Sequence, residues 1–256
     1  MQRPLLTIYC SPMNTLLWLR WHNDSEKKGL EQANNPTFGV NNMPVDFKKT
    51  EKELYQPKTA PSIVDVPEMT YIAVNGKGNP NTSEAYRIAI EILYGLSYSI
   101  KMSKMSGSTP DGYFEYVVPP LEGLWWSFDY SDKESFCWTA MIRQPEFVTP
   151  EVFDTAQTAL AKKKAGLDLS IARLEKITEG LCVQALHIGS YDSEPATIAA
   201  MEEFATQNGY TIDIGDARRH HEIYLSDPRK VAVDKLKTVI RHPIRIGNEA
   251  TAPNFK

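Results

Sequence analysis

Acidic and aromatic residues concentrate in two segments of the chain, Pro119-Pro120-Leu121-Glu122-Gly123-Leu124-Trp125-Trp126 and His220-His221-Glu222-Ile223-Tyr224-Leu225-Ser226-Asp227-Pro228. A carboxylate set among aromatic rings is partly desolvated, which disfavours its charged form and raises its pKa. Such a group suits two tasks, meeting a cationic ligand or exchanging protons with a water molecule. In a strand, period-two geometry puts His221, Ile223 and Leu225 on one face and Glu222 with Tyr224 on the other. If the apolar face packs on helices, Glu222 and Tyr224 point into a concavity; otherwise Glu222 is a solvated carboxylate on an open sheet. Trp125 and Trp126 are adjacent and so face opposite sides, with Trp125 assigned to the pocket and Trp126, Leu124 and Phe128 to packing. Tyr71, Tyr113 and Tyr191 stand at similar strand or turn positions. Each reads either as a stacking surface for a planar ligand or as a half-buried packing residue. Glu122 either lines the same site or caps backbone amides at the Pro119-Pro120 bend, and the role of Glu115 stays open.

Other chemistries find little footing. Asn75-Gly76-Lys77-Gly78-Asn79 lacks the spacing and the Lys-Ser/Thr ending of a phosphate-binding loop and reads as a turn. There is no HExxH or GxSxG, and the five histidines (His22, His187, His220, His221, His242) show no pairing with cysteine at a useful spacing. Zinc needs three or four convergent ligands, so no metal and no cofactor are expected. Three cysteines, Cys10, Cys137 and Cys182, are odd in number and widely spaced, which argues against a disulfide framework and for a reducing cytoplasm. With 28 Lys plus Arg against 32 Asp plus Glu, the net charge of −4 supplies no field for direct nucleic-acid binding. No run approaches the ~20 apolar residues of a bilayer span, since Leu16-Leu17-Trp18-Leu19 is cut off by Arg20. The partner expected is a small hydrophobic aromatic ligand, held by a monomer or homodimer.

The elements that must position these groups are legible as patterns. Residues 1–42 are poor in periodicity and read as a disordered leader, 43–245 as the folded domain and 246–256 as a flexible tail. Within the domain, Tyr71-Ile-Ala-Val-Asn-Gly-Lys-Gly compares with Val183-Gln-Ala-Leu-His187-Ile-Gly-Ser. Each segment precedes a capped amphipathic helix. Ser83 caps the first, whose stripe is Ile88, Ala89, Ile92, Leu93 and Leu96; Ser193 caps the second, with Pro195 in its first turn, Ile198, Met201, Phe204 and Ala205 as its stripe, and Gly209 at its end. Strand-like runs follow at 97–102 and 113–118, then at 210–214 and 220–225. The order is β-α-β-β, twice. Between the copies, 125–130 and 136–143 alternate like a hairpin, and Thr149-Pro150 opens a helix to about Lys164. The expected class is therefore α+β, a pseudo-twofold tandem of β-α-β-β units with helices on one face of antiparallel sheets and a concave ligand cleft.

These residues resemble the stand-alone GyrI-like small-molecule-binding proteins over roughly Val45 to Pro243. The resemblance rests on Pro119 to Trp126, on His187-Ile-Gly-Ser-Tyr191-Asp, and above all on His221-Glu222-Ile-Tyr-Leu-Ser-Asp-Pro-Arg-Lys with Leu236-Lys-Thr-Val-Ile-Arg-His-Pro243. It implies the effector-binding-domain fold found in drug-sensing transcription regulators. Some stand-alone relatives hydrolyse the strained cyclopropane of DNA-alkylating antibiotics, so it also implies either a protective hydrolase or a non-catalytic sensor or sequestering protein. A protein-binding modulator of the gyrase-inhibitor type is a further reading. By this resemblance Glu222 orients or deprotonates the water while aromatic residues such as Trp125, Tyr71 and Tyr191 hold the drug; Tyr113, Glu122, His187 and Tyr224 complete the expected ligand-binding set.

Overall fold

A computed structural model describes residues 43–107, 109–127 and 132–247. The expected leader and, from 248 on, the expected tail lie outside these, as does Phe128. Among the described residues the order is α1 (Phe47–Thr50), α2 (Lys52–Tyr55), β1 (Ser62–Lys77), α3 (Glu84–Lys101), β2 (Leu121–Trp126), β3 (Cys137–Arg143), α4 (Pro150–Lys163), β4 (Ala172–Ile188), α5 (Glu194–Gln207), β5 (Tyr210–Ile212), β6 (His220–Tyr224) and β7 (Lys237–Ile246).

Every strand pairing is antiparallel, in the order β4-β1-β3-β2-β6-β7-β5, and β4 also pairs with β7. The fold is mixed helix and strand, as expected, but its sheet closes into a barrel instead of remaining open. The physical reason is strand length. β1 and β4, at 16 and 17 residues, outrun their hairpin partners and pair with each other from Ser62↔Gln184 to Val74↔Ala172. Cys182, Val183 and Gln184 are then bonded on both sides, to Val64, Ile63 and Ser62 of β1 and to Pro243, His242 and Arg241 of β7.

Closure gives each strand an inner and an outer side. Tyr71 of β1, Glu122 of β2, Glu179 of β4, His221 of β6 and Arg241 of β7 converge from strands that are not all neighbours, so their shared side is the lumen. Tyr55 and the Leu54 carbonyl enter the same space from α2, donating to Glu122 (3.3 Å) and accepting from Arg241 (2.9 Å). Gly76, Trp138, Gly123, Trp125, Glu222 and Tyr224 lie on the outer side, in register across β1, β3, β2 and β6.

α3 packs over this outer side against β1 and β3, and α5 against β4 and β5. α3 forms because Ser83 accepts the Tyr86 amide at its start and because Ala89, Ile92, Leu93, Leu96 and Ile100 recur at helical spacing, all 0–1 % exposed. Burying each Leu or Ile contributes about 1.5–3 kcal/mol. Ile100 extends that stripe, which is why 97–102, expected as a strand, is helical as far as Lys101. The run 113–118 is likewise not a strand but contributes a single parallel bridge, Val45↔Tyr116. β3 and the helix opened by Thr149 and Pro150, ending at Lys163, form close to where their patterns placed them, whereas the first hairpin strand, expected at 125–130, is β2 at Leu121–Trp126, and 128–130 lie outside the described residues.

Candidate functional site

Strand β6 alternates as its sequence requires, but the side facing the helices is the reverse of the one expected. His221 and Ile223 point into the lumen, and Glu222 and Tyr224 point outward toward α3 and α5. His221 is polar enough to be useful only where carboxyl groups meet it. The lumen supplies two, Glu179 at 2.6 Å and Glu122 at 3.0 Å.

Glu222 has no exposed surface. Its Oε1 lies 2.8 Å from His220 Nε2, and its Oε2 accepts from the Tyr224 hydroxyl at 2.7 Å. That hydroxyl in turn accepts from Trp125 Nε1 at 3.0 Å. The indole can reach it because the residue paired with Glu222 across the sheet is Gly123. A Cβ there would stand 2.6 Å from Trp125 Nε1 and 3.2 Å from the Tyr224 oxygen, so a side chain would push both away. The aromatic wall continues through Tyr86 of α3, 5.8 Å from Trp125 and edge-on to Trp138 at 4.8 Å. Gly76 admits the Trp138 ring, since a Cβ would fall 2.1 Å from it. Tyr191 stands edge-on to Tyr224 at 6.0 Å.

The first residue of α5, Glu194, turns its fully buried carboxyl toward Glu222. One atom from each of Glu194, Glu222 and His220 lies within 4.8 Å of the others. Burial, and then the charge of Glu222, hold the Glu194 carboxyl well above the usual carboxylate range. Its oxygens have no other hydrogen-bond partner among the described residues. Two carboxyl groups facing each other away from water cannot both ionise, so the pair keeps a proton between them. Behind His220 stands His242, with Nε2 2.7 Å from His220 Nδ1; both rings are 1 % exposed. Burial, and then the neighbouring His220, hold His242 well below the usual imidazole range, so it is neutral.

Of the residues singled out from the sequence, the structure gathers Glu222, Tyr224, Trp125 and Tyr191. His187 lies at the edge, its Nδ1 2.8 Å from Thr197 Oγ1 and its Nε2 2.9 Å from the Ser190 carbonyl, where it ties the end of β4 to the turn that presents Tyr191 and Glu194. Tyr71 and Glu122 are not brought to this site. Strand alternation turns them into the lumen, where Tyr71 reaches Met69 Sδ at 3.9 Å and Glu122 meets His221 and Tyr55. Tyr113 is apart from both, its hydroxyl on the Lys101 carbonyl (2.7 Å) and its ring on Phe147 (5.2 Å). Trp126 lies on the other side from Trp125, under the Arg219 guanidinium at 4.7 Å.

Glu194, His220, His242, Tyr86 and Trp138 escaped the sequence reading. Glu194 sits between Ser193 and Pro195 as an ordinary first-turn acid, and Glu84, at the same place in α3, is indeed exposed. The two histidines are joined only by the β6–β7 register.

A family model, the GyrI-like small molecule binding domain, matches residues 59–245. The chain belongs to this family. No curated protein matches. Among solved structures, this GyrI-like chain is similar to one described as "a hydrolase from Listeria innocua", at 46 % identity and a TM-score of 0.75, over 78 % of this chain and 100 % of that one. It is equally similar to one described as "an uncharacterized conserved protein from Listeria innocua", at 47 % identity and a TM-score of 0.76, again over 78 % and 100 %.

The GyrI-like domain thus presents a dry carboxyl pair backed by imidazoles and fronted by aromatic rings. His220 already occupies Glu222, and the pair already holds a proton, so these three residues close on one another and we assign them no metal. A separate cavity of about 30 Å³ near Glu179, Arg218 and Leu124 would hold a water or two and is too small for an aromatic ligand. Among the described residues no helix is long and apolar enough to cross a membrane.

Proposed function

We propose that this GyrI-like protein binds a planar, hydrophobic small molecule against Trp125, Tyr224, Tyr191 and Tyr86 and adds water to it, opening a strained cyclopropane of the kind carried by DNA-alkylating compounds. The observation that carries this reading is the buried Glu194–Glu222 pair with its retained proton, placed behind the aromatic wall. Ring opening by water needs no covalent nucleophile: one group must take a proton from the attacking water and another must supply one to the carbon or oxygen that receives the ring electrons. Glu222, held on both oxygens, is the acceptor. Glu194, kept protonated, is the donor. A C–O bond forms, the ring C–C bond breaks, and one water is consumed. Transfer between the two facing carboxyls then restores the starting state.

The wider reading places this chemistry in a cleft between two β-α-β-β halves. The strand registers support it. The β1–β3 and β3–β2 pairings recur as β4–β7 and β7–β6, and the two sets meet at β1–β4 and β2–β6. The likeness to a Listeria protein described as a hydrolase supports catalysis over sequestration. Such an activity protects the cell that carries it.

The test is incubation of the purified protein with a cyclopropane-containing DNA alkylator, with Glu222→Gln and Glu194→Gln beside it, following the water-added product by mass spectrometry. Product with the wild type and loss of it in both variants is the expected result. Intact compound in every tube, with binding detected by calorimetry, would leave a sequestering protein.

A further inference from the structure

The proposed chemistry uses Glu222 and Glu194 but leaves unexplained why two imidazoles are buried in series behind them. The network leaves them few ways to be protonated. Glu222 Oε1 lies 2.8 Å from His220 Nε2 and, as a carboxylate, can only accept, so that nitrogen carries the hydrogen. A neutral His220 then has a bare Nδ1. Its neighbour at 2.7 Å is His242 Nε2, which donates to a neutral His220 and would accept from a charged one. His242 Nδ1 is left without a hydrogen-bond partner, and Glu202 Oε1 of α5, at 4.0 Å, is too far to bond it. With His220 neutral, donation runs from His242 through His220 to Glu222.

We propose that His242 is a positioning residue: its Nε2–H locks the His220 tautomer whose Nε2–H holds the Glu222 carboxylate in place as the base. The inference rests on the hydrolytic reading for its consequence in turnover, and on the geometry together with a neutral His220 for the tautomers. The groups facing Glu222 are Glu194 from α5 and His220 and Tyr224 from its own strand; those facing His242 are His220 from β6 and Glu202 from α5. Burial keeps His242 neutral, so it acts by directing a hydrogen bond and not by carrying charge. Without it, His220 is free to take the opposite tautomer, in which a bare Nε2 faces the carboxylate and ionisation of Glu222 is opposed.

Two variants separate this role from simple packing. His242→Phe keeps a ring but no donor, and His242→Gln replaces Nε2–H with an amide N–H. With the cyclopropane compound as probe, His242→Phe should lower kcat roughly ten- to a hundredfold, as for loss of a hydrogen bond to a charged group, with KM within about twofold. It should also move the acidic limb of the pH profile upward, and His242→Gln should recover most of both. Nitrogen-15 NMR of the imidazoles in the free protein reads the tautomers without any substrate: Nε2–H at His220 in the wild type and in His242→Gln, a mixture in His242→Phe. A wild-type pH profile in His242→Phe, equal impairment in both variants, or an Nδ1–H His220 in the wild type would overturn the proposal. If no compound is turned over but the tautomers behave as stated, the hydrolytic reading fails and the positioning of Glu222 by His242 stands.

Discussion

His221 and Glu222 are neighbours in the chain, yet they belong to two regions of opposite character. On the inner side of the barrel, Glu122 and Glu179 meet His221 and Arg241. Burial would raise the Glu179 carboxyl, but the His221 and Arg241 charges prevail and hold it down to about 2; burial would lower His221, but Glu179 and Glu122 prevail and hold it up at about 9. On the outer side, Glu194 and Glu222 meet His220 and His242, again two acids and two bases. There no fixed cation answers the carboxyls, burial works unopposed on Glu194, and His242 stays neutral. The same residue types make a locked ionic core in one place and a reactive pair in the other. What separates them is whether a permanent cation, Arg241, lies within bonding distance (2.6 Å to Glu179).

Substitutions on the two sides should therefore fail in different ways. The largest effect is expected from Glu222→Gln, which should cut turnover of the alkylator by roughly 10²–10⁴-fold, the range for loss of a proton acceptor, while calorimetry finds ligand affinity and melting temperature nearly unchanged. Glu179→Gln is its inner counterpart. It leaves Arg241 and His221 short of a partner and should cost about 3–5 kcal/mol in denaturant unfolding, with turnover per folded molecule retained. Tyr224→Phe removes one of the two bonds to Glu222 and should lower kcat about tenfold.

The pH dependence of stability should report the inner side. His221 is raised above its ordinary 6.5, so its stabilisation is complete below 6.5 and lost as pH rises through about 9; Glu179 is depressed, so its stabilisation is complete above 4.5 and lost as pH falls through about 2. Thermal melts should be flattest between pH 4.5 and 6.5, and in Glu179→Gln the alkaline loss should be smaller and end at lower pH. Smallest of all should be the effect of a chelator: turnover in EDTA should match the untreated protein, because the outer cluster closes on its own hydrogen bonds.

The sequence made much of the secondary structure legible because it is locally encoded. The Ser83 cap, the stripe through Leu96, Thr149-Pro150 and the alternation of His220 to Tyr224 each need only a few neighbouring residues. It also pointed to Glu222, Tyr224, Trp125 and Tyr191, since one acid in an aromatic strand is a local signal. Which side of that strand faces what is not local. It depends on closure between β4 and β7, and that follows from two strands long enough to overlap, a length the Gly and Pro punctuation did not reveal. Glu194 stayed hidden for the same reason, being an ordinary first-turn acid until the end of α5 is set over β6. The placement of Tyr71 and Glu122 in the lumen is a further result of closure, because an open sheet would have had no inside for them to enter.

That closed ring also acts as a mechanical stop. In an open sheet, an edge strand slides by one residue at the cost of a few hydrogen bonds, and every side chain changes sides. A slide of that size in β6 would send Glu222 into the lumen beside Glu179 and bring His221 out beside Glu194. Here β6 is bonded to β2 on one side and to β7 on the other, and β7 is fastened to β4, so no strand of the ring can shift without dragging the circuit with it. Loop insertions can alter the mouth of the site, whereas the alternation that keeps acid chemistry outside and the ionic core inside tolerates no drift.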